Sequence, residues 1–158
     1  MNMNHSIRTR LRRLILAPAI VVIMISTSGA WAEPRMAAAD SVVVVVSARS
    51  SVGAISKLHL ADLYLGRTVR FQNGAPATPI DQRSGSAMRA EFTETFLNRS
   101  EAQMKAHWSK IIFTGRGRPP REVSSDAAVR DIVARDPQAI GYIDASLVDS
   151  RVRVVRVQ

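Results

Sequence analysis

The stretch Pro79-Ile-Asp-Gln-Arg-Ser-Gly-Ser-Ala-Met-Arg-Ala-Glu-Phe92 joins a short apolar segment to an amphipathic one through a Ser-Gly-Ser turn. On its N-terminal side, residues 77–81 follow the Asn73-Gly74 turn signal and suit a short strand. On its C-terminal side, Met88, Phe92 and Phe96 recur every four residues and Leu97 widens the stripe, which predicts a helix with one buried face. A strand, a tight turn and a helix start are the parts of an oxyanion cradle, because the first amides of a helix have no carbonyl partners within it. Ser84 or Ser86 would cap the helix, and Gly85 would let the backbone approach a ligand. Arg83 would add a two-pronged contact to anion oxygens. The same turn also reads as a plain helix cap in a basic protein, and spacing alone does not separate the two.

Outward from this turn, helical and strand signals alternate. Residues 42–46 are an unbroken run of valines, which reads as a strand covered on both faces, as in a parallel sheet. Leu58, Leu60, Ala61, Leu63, Tyr64 and Leu65 form a short helical pattern stopped by Gly66. Ser100-Glu101-Ala102-Gln103 is a capping-box pattern opening a further helix with Met104, Trp108, Ile111 and Ile112 on its apolar side. The stretch Thr114-Gly-Arg-Gly-Arg-Pro-Pro-Arg-Glu122 breaks the pattern. Ser125 then caps a helix with Ala128, Val129, Ile132 and Val133 inward, ending before Pro137. Ala139-Ile-Gly-Tyr-Ile143 and Val152-Arg-Val-Val-Arg-Val157 read as closing strands. Strands separated by helices imply an α/β fold with at least partly parallel pairing.

At the other end of the chain, Arg8, Arg10, Arg12 and Arg13 precede an apolar run from Leu14 to Ile25 and the segment Ala30-Trp31-Ala32. That order is the pattern of a secretory signal peptide, cleaved after Ala32, which leaves residues 33–158 as one domain with no stable membrane insertion. Those residues hold 18 basic and 13 acidic side chains, a net charge of +5 that attracts anions at long range. The chain has no cysteine, so disulfides, thiolate nucleophiles and Cys-based zinc sites are excluded. His59 and His107 have no patterned acid or second histidine near them, and no Walker loop, nucleophile elbow or zinc spacing occurs. Glu91 and Glu94 lie three apart on a helix without a visible pocket for acid–base work. The expectation is therefore no enzyme, no cofactor, no metal and no nucleic-acid partner. Trp108 and Tyr142 suit the core. The cluster Arg116, Arg118 and Arg121 is the densest basic one, fit for solvent, a polyanion or an acidic partner.

The segments LADLYLGRTVRF, QRSGSAMRAEFTETFL, TGRGRPP and AVRDIVARDPQAIGYID, taken in order, resemble the phosphate ABC transporter substrate-binding proteins, in particular their short single-domain members. The resemblance covers residues 43–144. It implies a single lobe of a type II periplasmic binding protein, with a mixed sheet flanked by helices, in the periplasm. In the full-length family an arginine followed by Ser-Gly-Thr binds phosphate, and Ser84, Gly85 and Ser86 match the tripeptide with serine last. Arg83 matches the arginine but abuts the serine, where the family has intervening residues. Asp81 and Gln82 would flank the site. The resemblance also implies that the second lobe of the full-length proteins has no counterpart here. Ser47, Ser50 and Ser51, in the loop after the valine strand, are additional candidate ligands from the facing side. A homodimer or another protein would otherwise complete the site. Two functions follow as expectations. One is a secreted oxyanion-binding module serving an ABC transporter permease or membrane sensor. The other is a protein-interaction domain that keeps the lobe fold without capturing a ligand.

Overall fold

The computed structural model describes residues 42–158. The expected signal peptide, its cleavage point and the lead-in over residues 33–40 lie outside the described residues. Among the described residues, no helix is long and apolar enough to cross a membrane.

The valine run forms β1 (Val42–Ser47), followed by β2 (Ala54–Ile55) and α1 (Lys57–Tyr64). Next come β3 (Thr78–Gln82), α2 (Ala87–Leu97) and α3 (Glu101–Phe113). The chain closes with β4 (Arg121–Val123), α4 (Asp126–Arg135), β5 (Ala139–Asp144), a 3-10 turn, β6 (Val152–Val154) and β7 (Arg156–Val157). The main sheet has the order β4-β3-β5-β1-β6, and β2 pairs with β7 in a separate parallel ribbon. The α/β class and the mixed sheet flanked by helices are as expected.

The valine strand departs from its reading in one respect. It is covered on both faces, but it runs antiparallel to both neighbours, with Val42 opposite Asp144 and Val46 opposite Ile140 on β5. In the main sheet, among the described residues, only β3 is flanked on both sides by parallel partners, β4 and β5. Burial on both faces selects branched apolar residues and is blind to strand direction, so composition misread the pairing.

Two apolar layers clasp the sheet. On one face Val44, Val46, Ile140 and Tyr142 pack against Leu60, Tyr64, Phe92 and Trp108 of α1, α2 and α3. On the other, Val45, Ile80 and Ile143 pack against Val129 and Val133 of α4. Phe92 stacks on Tyr142 with centroids 3.9 Å apart and planes within 3°, and Tyr64 tilts against it at 4.7 Å. The Tyr64 hydroxyl donates to the Ile80 carbonyl at 3.1 Å, which satisfies that buried polar atom, whereas the Trp108 indole N–H in the same layer is buried without a hydrogen-bond partner. Truncating a fully buried phenylalanine such as Phe92 to alanine costs about 3–5 kcal/mol.

The helix signals map closely onto the elements. Ser86, Ser100 and Ser125 cap α2, α3 and α4, and Ser100 with Gln103 completes both bonds of the capping box. Gly66 lies just past α1 with φ +67, and its missing side chain leaves room for the Trp108 ring, which a Cβ would meet at 2.7 Å. The fold thereby brings α3 close against the loop after α1.

Candidate functional site

The turn between β3 and α2 is set by its glycine and its capping serine. Gly85 adopts φ +83, a conformation that a side chain disfavours, although nothing would obstruct a Cβ there. Ser86 is extended, and its hydroxyl accepts from the Arg89 backbone N–H at 3.2 Å. The Ala87 and Met88 amides at the head of α2 have no helical carbonyl to receive them. The dipole of an eleven-residue helix adds partial positive charge at the same place.

Behind the turn lies Arg89, only 7% exposed. One terminal nitrogen lies 2.6 Å from Glu122, and the other lies 3.2 Å from Asp81. Burial works against the charge on Arg89, but the Asp81 and Glu122 carboxylates outweigh it and raise its pKa further. Burial raises the Asp81 pKa above the ordinary carboxylate range, against the opposing pull of the Tyr142 hydroxyl and Arg89. The Tyr142 hydroxyl donates to Asp81 in a short hydrogen bond, and burial with the adjacent Asp81 charge pushes the Tyr142 pKa up strongly. Gln82 extends the network by donating to Asp126 at 2.9 Å, and Asp126 also accepts from the Asp144 amide. The ends of β3 and β5 and the start of α4 are tied together under the turn.

The mouth of the turn is already occupied by a negative group of the same chain. Gly85 N–H donates to both carboxylate oxygens of Glu101, at 3.1 and 3.2 Å. Glu101 is the first residue of α3, so the reversal between α2 and α3 carries it back over the start of α2. The Arg89 Nε–H is buried without a hydrogen-bond partner and lies 3.7 Å from a Glu101 oxygen. A cavity of about 380 Å³ opens beside the pair, lined among others by Ser84, Arg89, Glu101, Lys105, Trp108 and Glu122.

The expected site residues are thus only partly assembled. Ser84, Gly85 and Ser86 form the turn at the head of α2. Arg83 is exposed and does not line the cavity, and the inward arginine is Arg89. Ser47, Ser50 and Ser51 are not brought to the turn. Because β1 is antiparallel, its C-terminal loop lies at the end of the sheet where Thr78 and Ala139 pair, opposite the turn. There Ser47 donates to the Ala134 carbonyl, Ser50 accepts from Val52 N–H, and Ser51 accepts from the Asn73 side chain. His59 and His107 each hold a backbone carbonyl, of Arg70 and Leu65 respectively. Trp108 and Tyr142 are core residues. Arg89, Glu101 and Glu122, which the structure gathers around the turn, were not among the expected site residues. For Arg89 a signal existed: it lies three residues before Phe92 and seven before Phe96, on the buried stripe.

Solved structures share this architecture. A protein of Clostridium perfringens assigned as a phosphate ABC transporter substrate-binding protein, solved with bound phosphate, superposes with a TM-score of 0.60 at 20% identity, over 74% of this chain and 44% of that one. The fold is that of one lobe of a phosphate ABC transporter substrate-binding protein. An ABC-type phosphate transport receptor from Vibrio cholerae gives a TM-score of 0.57 at 17% identity, over 74% and 46% of the two chains. PstS from Borrelia burgdorferi gives 0.57 at 15%, over 75% and 47%. The lobe spans less than half the length of these proteins. No protein-family model matches the chain, and no curated protein does.

Proposed function

We propose that residues 33–158 form a secreted, non-enzymatic binding module for phosphate or a related oxyanion, working in the periplasm for an ABC transporter permease or a membrane sensor. The observation that carries this reading is the Gly85 amide holding a carboxylate. The turn binds an anionic group of its own chain, through the donor geometry that a free oxyanion would use. In this reading Glu101 withdraws, and the incoming anion takes the Gly85 amide, the Ser84 and Ser86 hydroxyls and the unpartnered Arg89 Nε–H. Arg83, exposed just before the turn, contributes long-range attraction. The likeness of the lobe to proteins of phosphate transport supports the ligand class, and the described residues supply one wall around it. A second copy or the transporter itself would supply the other wall.

Titration calorimetry with phosphate at low salt tests the reading, with sulfate as the competitor. Ser86→Asp keeps a capping side chain at the head of α2 while placing a negative charge beside Gly85. Saturable binding to the parent that disappears in Ser86→Asp, with unchanged thermal melting, is the expected result. Equal affinity in both proteins would remove the turn as the site.

A further inference from the structure

The C-terminal end of α3 carries a surface that extends beyond the anion site, whose cavity reaches it at Ile112. Phe113 is 92% exposed and Ile112 is 56% exposed at the last turn of the helix. The chain then doubles back, with Gly115 N–H donating to the Ile112 carbonyl and Arg116 N–H to the Ile111 carbonyl. This reversal lays the Arg116–Arg118 segment along the helix end, where a Cβ on Gly117 would stand 3.3 Å from the Ile111 side chain. From Ala102 to Arg121 the sequence has Lys105, Lys110, Arg116, Arg118 and Arg121 and not one acid. The ion pairs of the fold engage Arg67, Arg89, Arg130 and Arg151. None among the described residues engages Lys110, Arg116, Arg118 or Arg121. The two acids that flank the stretch are committed elsewhere, Glu101 to Gly85 and Glu122 to Arg89. Beside the basic loop a cavity of about 390 Å³ is lined by Arg67, Val69, Trp108, Arg116 and Arg118, among others.

We infer that this end of the molecule is a peripheral contact for an anionic phospholipid surface. Lys110, Arg116 and Arg118 meet the phosphate groups, and Phe113 with Ile112 enters the boundary between headgroups and acyl chains. Unpaired cations around projecting apolar side chains are the chemistry of an interfacial anchor. The acid-free run of cations complements an anionic headgroup layer, and Phe113, 92% exposed, projects far enough to enter it. Each Lys or Arg brought near an anionic leaflet strengthens binding by roughly fivefold, so a few basic residues with one aromatic give weak, salt-sensitive attachment.

The chain has no cysteine, so Thr114→Cys and, as a control on another exposed segment, Ser150→Cys each take a single environment-sensitive fluorophore. Vesicles of mixed phosphatidylglycerol and phosphatidylcholine should shift the label at position 114 to the blue and leave the label at 150 unmoved. Pure phosphatidylcholine should do neither, and salt should reverse the shift. Arg116→Gln with Arg118→Gln should weaken partitioning on the order of 25-fold, and Phe113→Ser should remove most of the shift. The proposal is overturned by a silent label at 114 on anionic vesicles, or by variants that partition and shift like the parent. It is also overturned by a label that responds to polyglutamate but not to lipid, which would assign the surface to an acidic protein.

Discussion

Replacing Glu101 with glutamine should tighten phosphate binding. The carboxylate accepts from the Gly85 amide and sits 3.7 Å from the free Arg89 Nε. A hydrogen bond to a charged group contributes ~1.5–3 kcal/mol in a protected setting. The Glu101 side chain is 31% exposed and Gly85 is exposed, so solvent screening reduces this to about 1–2 kcal/mol. Glutamine fills the same space with an uncharged acceptor that phosphate displaces more easily, and it also removes a like charge from the ligand's position. Calorimetry on the parent and Glu101→Gln should therefore show a Kd lower by roughly 5–30-fold in the variant. Loss of an acid from the first turn of α3 should cost about 0.3–1 kcal/mol of stability, visible as a slightly lower Tm. Unchanged or weaker binding in a variant that melts normally would refute the idea that Glu101 occupies the ligand's place.

Other outcomes follow from the same geometry. Arg89→Met should destabilise the fold by about 3–5 kcal/mol in urea titration, because it strands Asp81 as a buried acid without its cation. Gly66→Ala should cost about 1–3 kcal/mol, since the new methyl meets the Trp108 ring in a positive-φ conformation. Asp81 has its folded pKa raised, so the native state holds this proton more tightly than the unfolded chain does. Its contribution to stability therefore falls as pH rises from the ordinary carboxylate range through the raised value. Asp81→Asn should remove that fall, seen as a difference in urea midpoint between parent and variant that changes across this window and is flat above it.

Local signals in the sequence were reliable wherever the physics was local. Ser86, Ser100 and Ser125 bond to amides within one turn, so short patterns located the helix starts. Strand direction is different, because it is decided by partners far along the chain. The antiparallel course of β1 moves Ser47, Ser50 and Ser51 to the far end of the sheet, so one misread direction displaced three candidate residues together. Arg89 was legible from its place on the stripe of Phe92 and Phe96, but a charge in a buried row is easily taken for a solvated one. Glu101 was visible as an acid in the first turn of α3. Its contact with Gly85, sixteen residues away, exists only because α3 turns back on α2.

An anion tethered to its own receptor competes differently from one dissolved in the medium. The connection from Leu97 to Glu101 is short, which fixes the carboxylate near Gly85 at an effective concentration on the order of millimolar or higher. Dilution does not lower that concentration, so in the proposed function a free oxyanion fills the turn with an apparent Kd raised by the constant factor that self-occupancy imposes. The response would remain a simple saturation curve, shifted to higher oxyanion concentration. The length and stiffness of the α2–α3 turn, rather than the contacts of the turn alone, would then set the level to which the lobe responds.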